Sequence, residues 1–226
     1  MGFGLRHCDR IIKIPTSRYV YERKHTMHRT AARILKIARE QFLAQSYADV
    51  TMDQIAGAAK VTKGGLYHHF AGKEALYLVM MQADLSEKNQ LFNKAVVMEG
   101  SCRQRLETLA RSFLALPAQQ RRLAGLIRRD INTLSEGARQ QLMRCYQSAL
   151  PDQVRSIIQH GIRARELRPI DARLASFCFI SLVEHCVSHH GERVLPTEAQ
   201  KVSFVLDLFF TGVTDKTGIT VEQETS

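Results

Sequence analysis

The stretch TMDQIAGAAKVTKGGLYHHFAGKEAL, Thr51 to Leu76, decides the fold because it contains two short helical segments separated by a brief turn. Thr51 and Gln54 form a capping box: the threonine hydroxyl can accept from the backbone amide three residues on, and the glutamine can reach back. This cap predicts a helix that runs to about residue 59. Thr62 is a good cap for the next helix, which we expect to end near Phe70. Two short helices joined by a tight turn predict a helix-turn-helix unit.

The second of these helices has an apolar side and a polar side. Leu66 and Phe70 are four residues apart and supply the buried side. The opposite side then carries Lys63, Tyr67 and His68, which offer a cation, a phenol hydroxyl and an imidazole without an acidic residue among them. Such a surface suits the phosphate backbone and the base edges of a DNA major groove, which is wide enough for one helix.

Two adjacent glycines, Gly64 and Gly65, lie inside this helix. Each costs a helix interior about 0.5–1 kcal/mol relative to alanine. We interpret them as positions where the backbone comes close to the groove, while the Thr62 hydroxyl meets a phosphate. Because Gly65 has no side chain to read a base, specificity there is expected to depend on neighbouring residues and DNA shape.

The rest of the chain is also patterned as helices, so we predict an all-α protein. An amphipathic helix precedes the motif over 29–46, and Pro151 is expected either to kink or to split the helix that contains it. The helices after the motif are predicted at 73–97, 102–116, 118–134, 136–166, 171–190 and 197–212. Residues 1–26 are interpreted as a flexible basic extension and 213–226 as a polar tail. Since Met27 opens directly onto the first helix, one hypothesis is that the native chain starts there.

Positive charge is concentrated in the first third of the chain. The formal net charge is +10, and residues 1–73 hold 13 Lys or Arg against 5 Asp or Glu. This asymmetry predicts an N-terminal unit that binds a polyanion, attached to a nearly neutral body. The alternative is a basic face that is merely solvated.

The whole of Thr51–Leu76 resembles the DNA-binding signature of the tetracycline-repressor (TetR) family of bacterial transcriptional regulators. The shared features are the Ile-Ala pair, the small residues that end the first helix, Val61, Gly64, the Leu-Tyr pair, Phe70 and the Lys-Glu pair that follows. The chain departs from the pattern at Lys60, where glycine is frequent, and at Gly72, where a capping side chain is usual.

The resemblance implies a set of DNA-contacting residues and a division into domains. Phosphate contacts are implied for Thr51, Thr62, Tyr67 and Lys73, and contacts to base edges or nearby phosphates for Lys63, Gly64, Gly65 and His68. Residues 27–73 would form the DNA-binding domain and 74–212 the helical effector-binding and dimerisation domain. The alternatives are that Tyr67 is a packing aromatic and that Lys63 is only a solvated cation.

The same resemblance implies a homodimer that binds a palindromic operator in double-stranded DNA, is released from it by a small-molecule effector, acts by default as a repressor and needs no cofactor. The stretch 161–176 resembles the family's junction before the two helices of the dimer interface. Five cysteines without a CxxC pair favour a reducing compartment, and no apolar run approaches the roughly 20 residues that span a bilayer. We therefore expect a cytoplasmic protein that does not bind membranes.

Two other functions fit part of the sequence. Glu184, His185 and His189 could form a metal site in an enzyme or a metal sensor, because the two histidines are four residues apart on one predicted helix. The order of these residues is not that of an HExxH motif. The second alternative is a protein that coats DNA without sequence preference.

Overall fold

The computed structural model describes residues 18–213, with side chains described for 29–212 except Ala124. The described part of the chain is helical and contains no strand, as the sequence predicts. Its helices are α1 (Arg18–Ala44), α2 (Met52–Ala58), α3 (Lys63–His69), α4 (Lys73–Val97), α5 (Cys102–Leu114), α6 (Ala118–Asp130), α7 (Glu136–Ala149), α8 (Pro151–Arg163), α9 (Ala172–His185), α10 (His189–Val194) and α11 (Glu198–Val213).

Local capping explains where most of these helices begin. The predicted capping box is present at Thr51, and further boxes lie at Ser101 before α5 and at Thr197 before α11, each with its glutamine partner. Gly72 precedes α4 without any side-chain cap. Lys60, in the turn between α2 and α3, has a φ of 51°. This is the left-handed region, where a side chain is strained and glycine is not, so the departure at this position has a structural cost.

Two predicted helix boundaries are wrong. The first helix begins at Arg18, so residues 18–26 of the expected flexible extension are helical, while residues 1–17 lie outside the described part. At Pro151 the structure has the second of the two expected outcomes, a split helix, because proline is well suited to the first turn of α8 but not to a helix interior. The helix expected over 171–190 ends at His185, and Ser188 caps a new helix by accepting from Gly191 N at 3.1 Å.

Two hydrophobic cores share α4. The first core joins α1, α2 and α3 to the N-terminal half of α4 and to α6 and α7; its fully buried members include Phe42, Ile55, Leu66 and Leu142. The second core joins the C-terminal half of α4 to α5, α8, α9 and α11 around Phe92 and Phe179. The helix-turn-helix unit therefore packs directly on helices of the body.

Three polar side chains fix the corner between α1 and α2, which we define as residues 45–50. Lys73, at the start of α4, donates from Nζ to the carbonyls of Tyr47, Ala48 and Val50 at 2.8, 3.2 and 3.0 Å. Arg129, near the end of α6, donates to the carbonyls of residues 42 and 45 at 2.7 and 2.9 Å.

Asp130 is the third side chain of this arrangement. Its side chain is 2% exposed and accepts from Arg129 Nε and Nη2 at 2.8 and 2.7 Å. It also accepts longer hydrogen bonds from Tyr47 N and the Tyr77 hydroxyl, both at 3.4 Å. Burial, followed by the charge of Asp130, raises the pKa of Tyr77, so this phenol remains a donor. We call Lys73, Arg129 and Asp130 the corner clasp.

Asp130→Asn is expected to destabilise the protein by about 1–3 kcal/mol, because a buried charge-assisted pair loses its charge and an Arg129 donor loses its acceptor. Urea unfolding followed by circular dichroism measures the change. Asp152→Asn is the matched control, because Asp152 forms an exposed ion pair with Arg155 and its loss is expected to cost less than about 1 kcal/mol. Equal effects of the two substitutions would contradict a structural role for the corner clasp.

Candidate nucleic-acid interface

Only one side of helix α3 packs against the first core. Leu66 is fully buried and Phe70 is 7% exposed. Lys63 and His68 are exposed, and Tyr67 is 45% exposed. The exposed fraction of Tyr67 is too large for a purely packing aromatic. The structure therefore brings the three predicted polar groups together on one solvent-facing surface, which we call the α3 face.

The two glycines differ in what surrounds them. A Cβ atom added to Gly64 would meet no heavy atom within 4 Å outside its own helix backbone and chain neighbours. A Cβ atom on Gly65 would lie 3.1 Å from Thr62 Oγ1, which accepts a hydrogen bond from Gly65 N at 3.0 Å. Packing inside the protein thus gives a reason for a small residue at Gly65 but none at Gly64.

The cation of the α3 face is already paired. Lys63 Nζ lies 2.9 Å from an Asp53 carboxylate oxygen, and both side chains are about two-thirds exposed. The hydrogen bond to Asp53, and then its charge, raises the pKa of Lys63. Exposed ion pairs contribute little to stability, so a phosphate can replace this carboxylate at small cost. The sequence gives no direct signal of the pair, because Asp53 lies ten residues earlier on α2.

The adjacent histidines have different environments. His68 is exposed, whereas His69 is half-buried and its ring lies 5.7 Å from that of His68. Burial, and then the neighbouring His68, lowers the pKa of His69. His69 is therefore neutral at physiological pH and adds no charge to the surface. The geometry agrees with the choice of His68 as the outward-facing histidine.

Two of the predicted phosphate-binding residues have internal partners. The Thr51 hydroxyl accepts from Gln54 N at 3.2 Å and lies 3.0 Å from Gln54 Oε1, within the capping box. Lys73 uses three N–H donors on the corner carbonyls, and its Nζ lies 4.5 Å from the centre of the Tyr47 ring. The Lys73 ammonium group thus holds the corner in this structure, while the predicted phosphate contact stays a prediction.

The alternative metal site is not assembled. Among the described residues, no group of three or more His, Cys, Asp or Glu side chains is placed to hold a metal ion. His185 ends α9 and His189 begins α10, so the two histidines do not share a helical face. Glu184 is paired with Arg128, and His185 Nδ1 lies 2.7 Å from the Ser181 carbonyl oxygen.

Comparison with known families matches both parts of the chain. The profile described as bacterial regulatory proteins, tetR family, matches residues 34–80, which contain α2, α3 and the corner. A tetracyclin repressor-like C-terminal domain matches residues 99–188. Together these matches span well over half of the chain. The chain belongs to the tetR family. It is accordingly a DNA-binding transcriptional regulator.

Relatives of this tetR-family chain are similar along different lengths. An uncharacterized HTH-type transcriptional regulator of Bacillus subtilis, YhgD, is 25% identical over 178 residues, which are 78% of this chain and 92% of YhgD. The regulator SrpR of Pseudomonas putida is 46% identical over 59 residues, or 26% of each chain. The similarity to SrpR thus covers only about a quarter of either protein.

Solved structures share the fold over most of the chain. FadR from Bacillus subtilis, determined with stearoyl-CoA, has a TM-score of 0.67 at 18% identity and covers 80% of this chain and 98% of its own. AibR, determined with isovaleryl coenzyme A and operator DNA, has a TM-score of 0.68 at 20% identity and covers 79% and 97%. Within the described part of this chain, no helix is both long and apolar enough to cross a membrane.

Asp53→Asn is expected to tighten operator binding about two- to fivefold, because it frees Lys63 and removes a carboxylate from the DNA-facing side. Fluorescence anisotropy with a labelled operator measures the dissociation constant. In a Lys63→Met background the same substitution is expected to have a smaller effect, which a double-mutant cycle isolates. An unchanged dissociation constant in the Lys63 background would show that the pair has no influence on DNA binding.

Proposed function

We propose that this tetR-family regulator represses transcription by binding a palindromic operator through α3 and releasing it when a small-molecule effector binds the body. The proposed division is a DNA-binding domain over 27–73 and an effector-binding and dimerisation domain over 74–212. The role is regulatory and not catalytic, and the proposed location is the cytoplasm.

One observation carries this proposal: Gly64 lies in the middle of the α3 face with open space where a side chain would be. A glycine inside a helix is unfavourable, and packing within the chain does not require it. A partner surface that approaches from outside does require a glycine here. A DNA major groove about 12 Å wide admits the bare backbone of one helix. The polar neighbours Lys63, Tyr67 and His68 flank this bare strip.

The contact set that we propose follows from these positions. Thr62 and Tyr67 contact phosphates, and Thr51 contributes at the start of α2. Lys63, Gly64, Gly65 and His68 face base edges or nearby phosphates. Since Thr62 Oγ1 accepts from Gly65 N, its hydroxyl proton can be donated to a phosphate oxygen. Lys73 acts indirectly, by holding the corner that precedes α2.

Gly64→Ala is expected to raise the free energy of unfolding by up to about 1 kcal/mol and to weaken operator binding about tenfold, because the methyl group intrudes between backbone and groove. The operator is obtained by selection from random duplexes with the wild-type protein, and unfolding and binding are then measured separately. Opposite signs for stability and binding would be hard to explain by misfolding.

Gly137→Ala is the matched control, because Gly137 lies near the start of α7 and an added Cβ there also meets nothing within 4 Å. It is expected to stabilise the protein without altering DNA binding. Unchanged binding by Gly64→Ala would contradict the proposed approach of α3 to DNA. Selection that returned no preferred sequence would instead support the DNA-coating alternative.

The dimer is proposed to form through α9 and α11. These helices expose large apolar side chains: Leu174 is 65% exposed, Phe204 48% and Leu208 51%. Phe204 and Leu208 are one turn apart and so share a face of α11. A symmetric dimer presents two copies of α3 to half-sites about 34–36 Å apart, which is the reason for expecting a palindrome.

Leu208→Glu is expected to convert the dimer to a monomer, since two carboxylates would be buried face to face near a two-fold axis. Sedimentation velocity measures the mass, and operator binding is expected to weaken because only one half-site is held. Val97→Glu is the control: Val97 ends α4, is 72% exposed and lies outside the proposed interface. A Leu208→Glu protein that stayed dimeric would place the interface elsewhere.

The effector is proposed to bind within the helical body. FadR was determined with stearoyl-CoA and AibR with isovaleryl coenzyme A. These ligands belong to those proteins, and they support the proposal only in showing that this fold accommodates small molecules. Effector action requires different affinities for the DNA-binding and the released state, whatever its chemical class.

A further inference from the structure

Glu184 has a carboxylate of which one oxygen accepts a hydrogen bond and the other is buried without a donor among the described residues. It lies in the last turn of α9, and its side chain is 10% exposed. Oε2 accepts from Arg128 Nη1 at 2.5 Å, whereas Oε1 is buried and has no hydrogen-bond partner among the described residues. A buried charged oxygen without a donor is unfavourable by more than a neutral one, so this position calls for an additional donor or cation.

Glu184 already pairs with one cation, the guanidinium of Arg128. Arg128 reaches it from α6 with a guanidinium that is 64% exposed, so the residue that covers the carboxylate lies at the surface. Burial, then the charge of Glu184, raises the pKa of Tyr146 on α7 to about 12, and Arg128 opposes this rise. The phenol is therefore neutral at pH 7.

We propose that Glu184 is the subsite that recognises an ammonium group of the effector, and that Arg128 occupies this subsite until the ligand displaces it. The inference rests on the proposed function, because it assigns a chemical class to the effector. A carboxylate with one oxygen buried and without a donor favours a cationic donor such as an ammonium group. An anionic ligand such as a coenzyme A ester would meet repulsion at this point.

The position of Arg128 connects this subsite to the DNA-binding unit. Arg128 directly precedes Arg129 and Asp130, which belong to the corner clasp. A ligand that takes Glu184 from Arg128 therefore changes the last turn of α6 one residue away from the side chain that holds the end of α1. Effector binding in the subsite is expected to lower operator affinity through this turn.

The test uses the full chain and a pair of isosteric probes, benzylamine, which is protonated at pH 7, and benzyl alcohol, which is not. Benzylamine is expected to raise the melting temperature of the wild type, and benzyl alcohol is not. Arg128→Ala is expected to bind benzylamine more tightly, because the competing guanidinium is gone. Glu184→Gln is expected to lose at least about tenfold in affinity, the cost of one charge-assisted hydrogen bond.

Glu136→Gln is the matched control, since Glu136 forms an exposed ion pair with Arg139 and should not affect benzylamine binding. The proposal is overturned if benzylamine and benzyl alcohol bind alike, if Glu184→Gln binds benzylamine as the wild type does, or if neither the wild type nor Arg128→Ala binds it. Operator binding without any amine tests the proposed function separately. A chain that binds its operator but fails the benzylamine test loses only the inference about the subsite.

Discussion

The carbonyl groups at the C-terminal end of α1 and in the corner that follows it are the constraint on which the DNA-binding unit depends. The last turn of any helix leaves carbonyls without an intrahelical donor, and its dipole favours a cation there. Here the cations come from two distant helices, Arg129 from α6 and Lys73 from α4, which together contact five carbonyls between residues 42 and 50. The corner before α2 is therefore fixed by helices of the body, and this sets the position of α2 and α3.

Helix α4 links the DNA-binding unit to the second core. Its 25 residues span about 37 Å, and its two halves lie in different cores. In its middle, Lys88 pairs with Asp84 at 2.6 Å, with side chains 6% and 2% exposed, and also donates to the carbonyl of Gln120 at the start of α6. A boundary at residue 73 divides the chain by proposed role, but the packing continues across it.

What could be predicted from the sequence is what depends on near neighbours. The capping box at Thr51, the cap at Thr62 and the outward side of α3 each follow from spacings of three or four residues, and the structure has them. The Arg129 contacts of the corner clasp join residues more than 80 positions apart, so no local pattern in the sequence indicates them. For Lys73 the resemblance implied a phosphate contact, whereas its Nζ donates to carbonyls 23 to 26 residues away.

The break between α9 and α10 shows how one unrecognised cap changes a functional hypothesis. An uninterrupted helix would have placed His185 and His189 on one face and made a metal site reasonable. Ser188 instead accepts from Gly191 N and starts a new helix, so the two histidines lie on different helices. The chemistry that remains in this region is the carboxylate of Glu184 and the guanidinium of Arg128.

Two consecutive residues at the end of α6 therefore have different partners. Successive side chains on a helix are about 100° apart, so Arg128 can contact α9 while Arg129 contacts the end of α1. Both side chains stand on one helical turn, and Leu126 and Ile127 of this turn are buried in the first core. Under the inference proposed above, a change in the partner of Arg128 alters the turn from which Arg129 holds the end of α1. Coupling between the body and the DNA-binding unit requires no longer path than this turn.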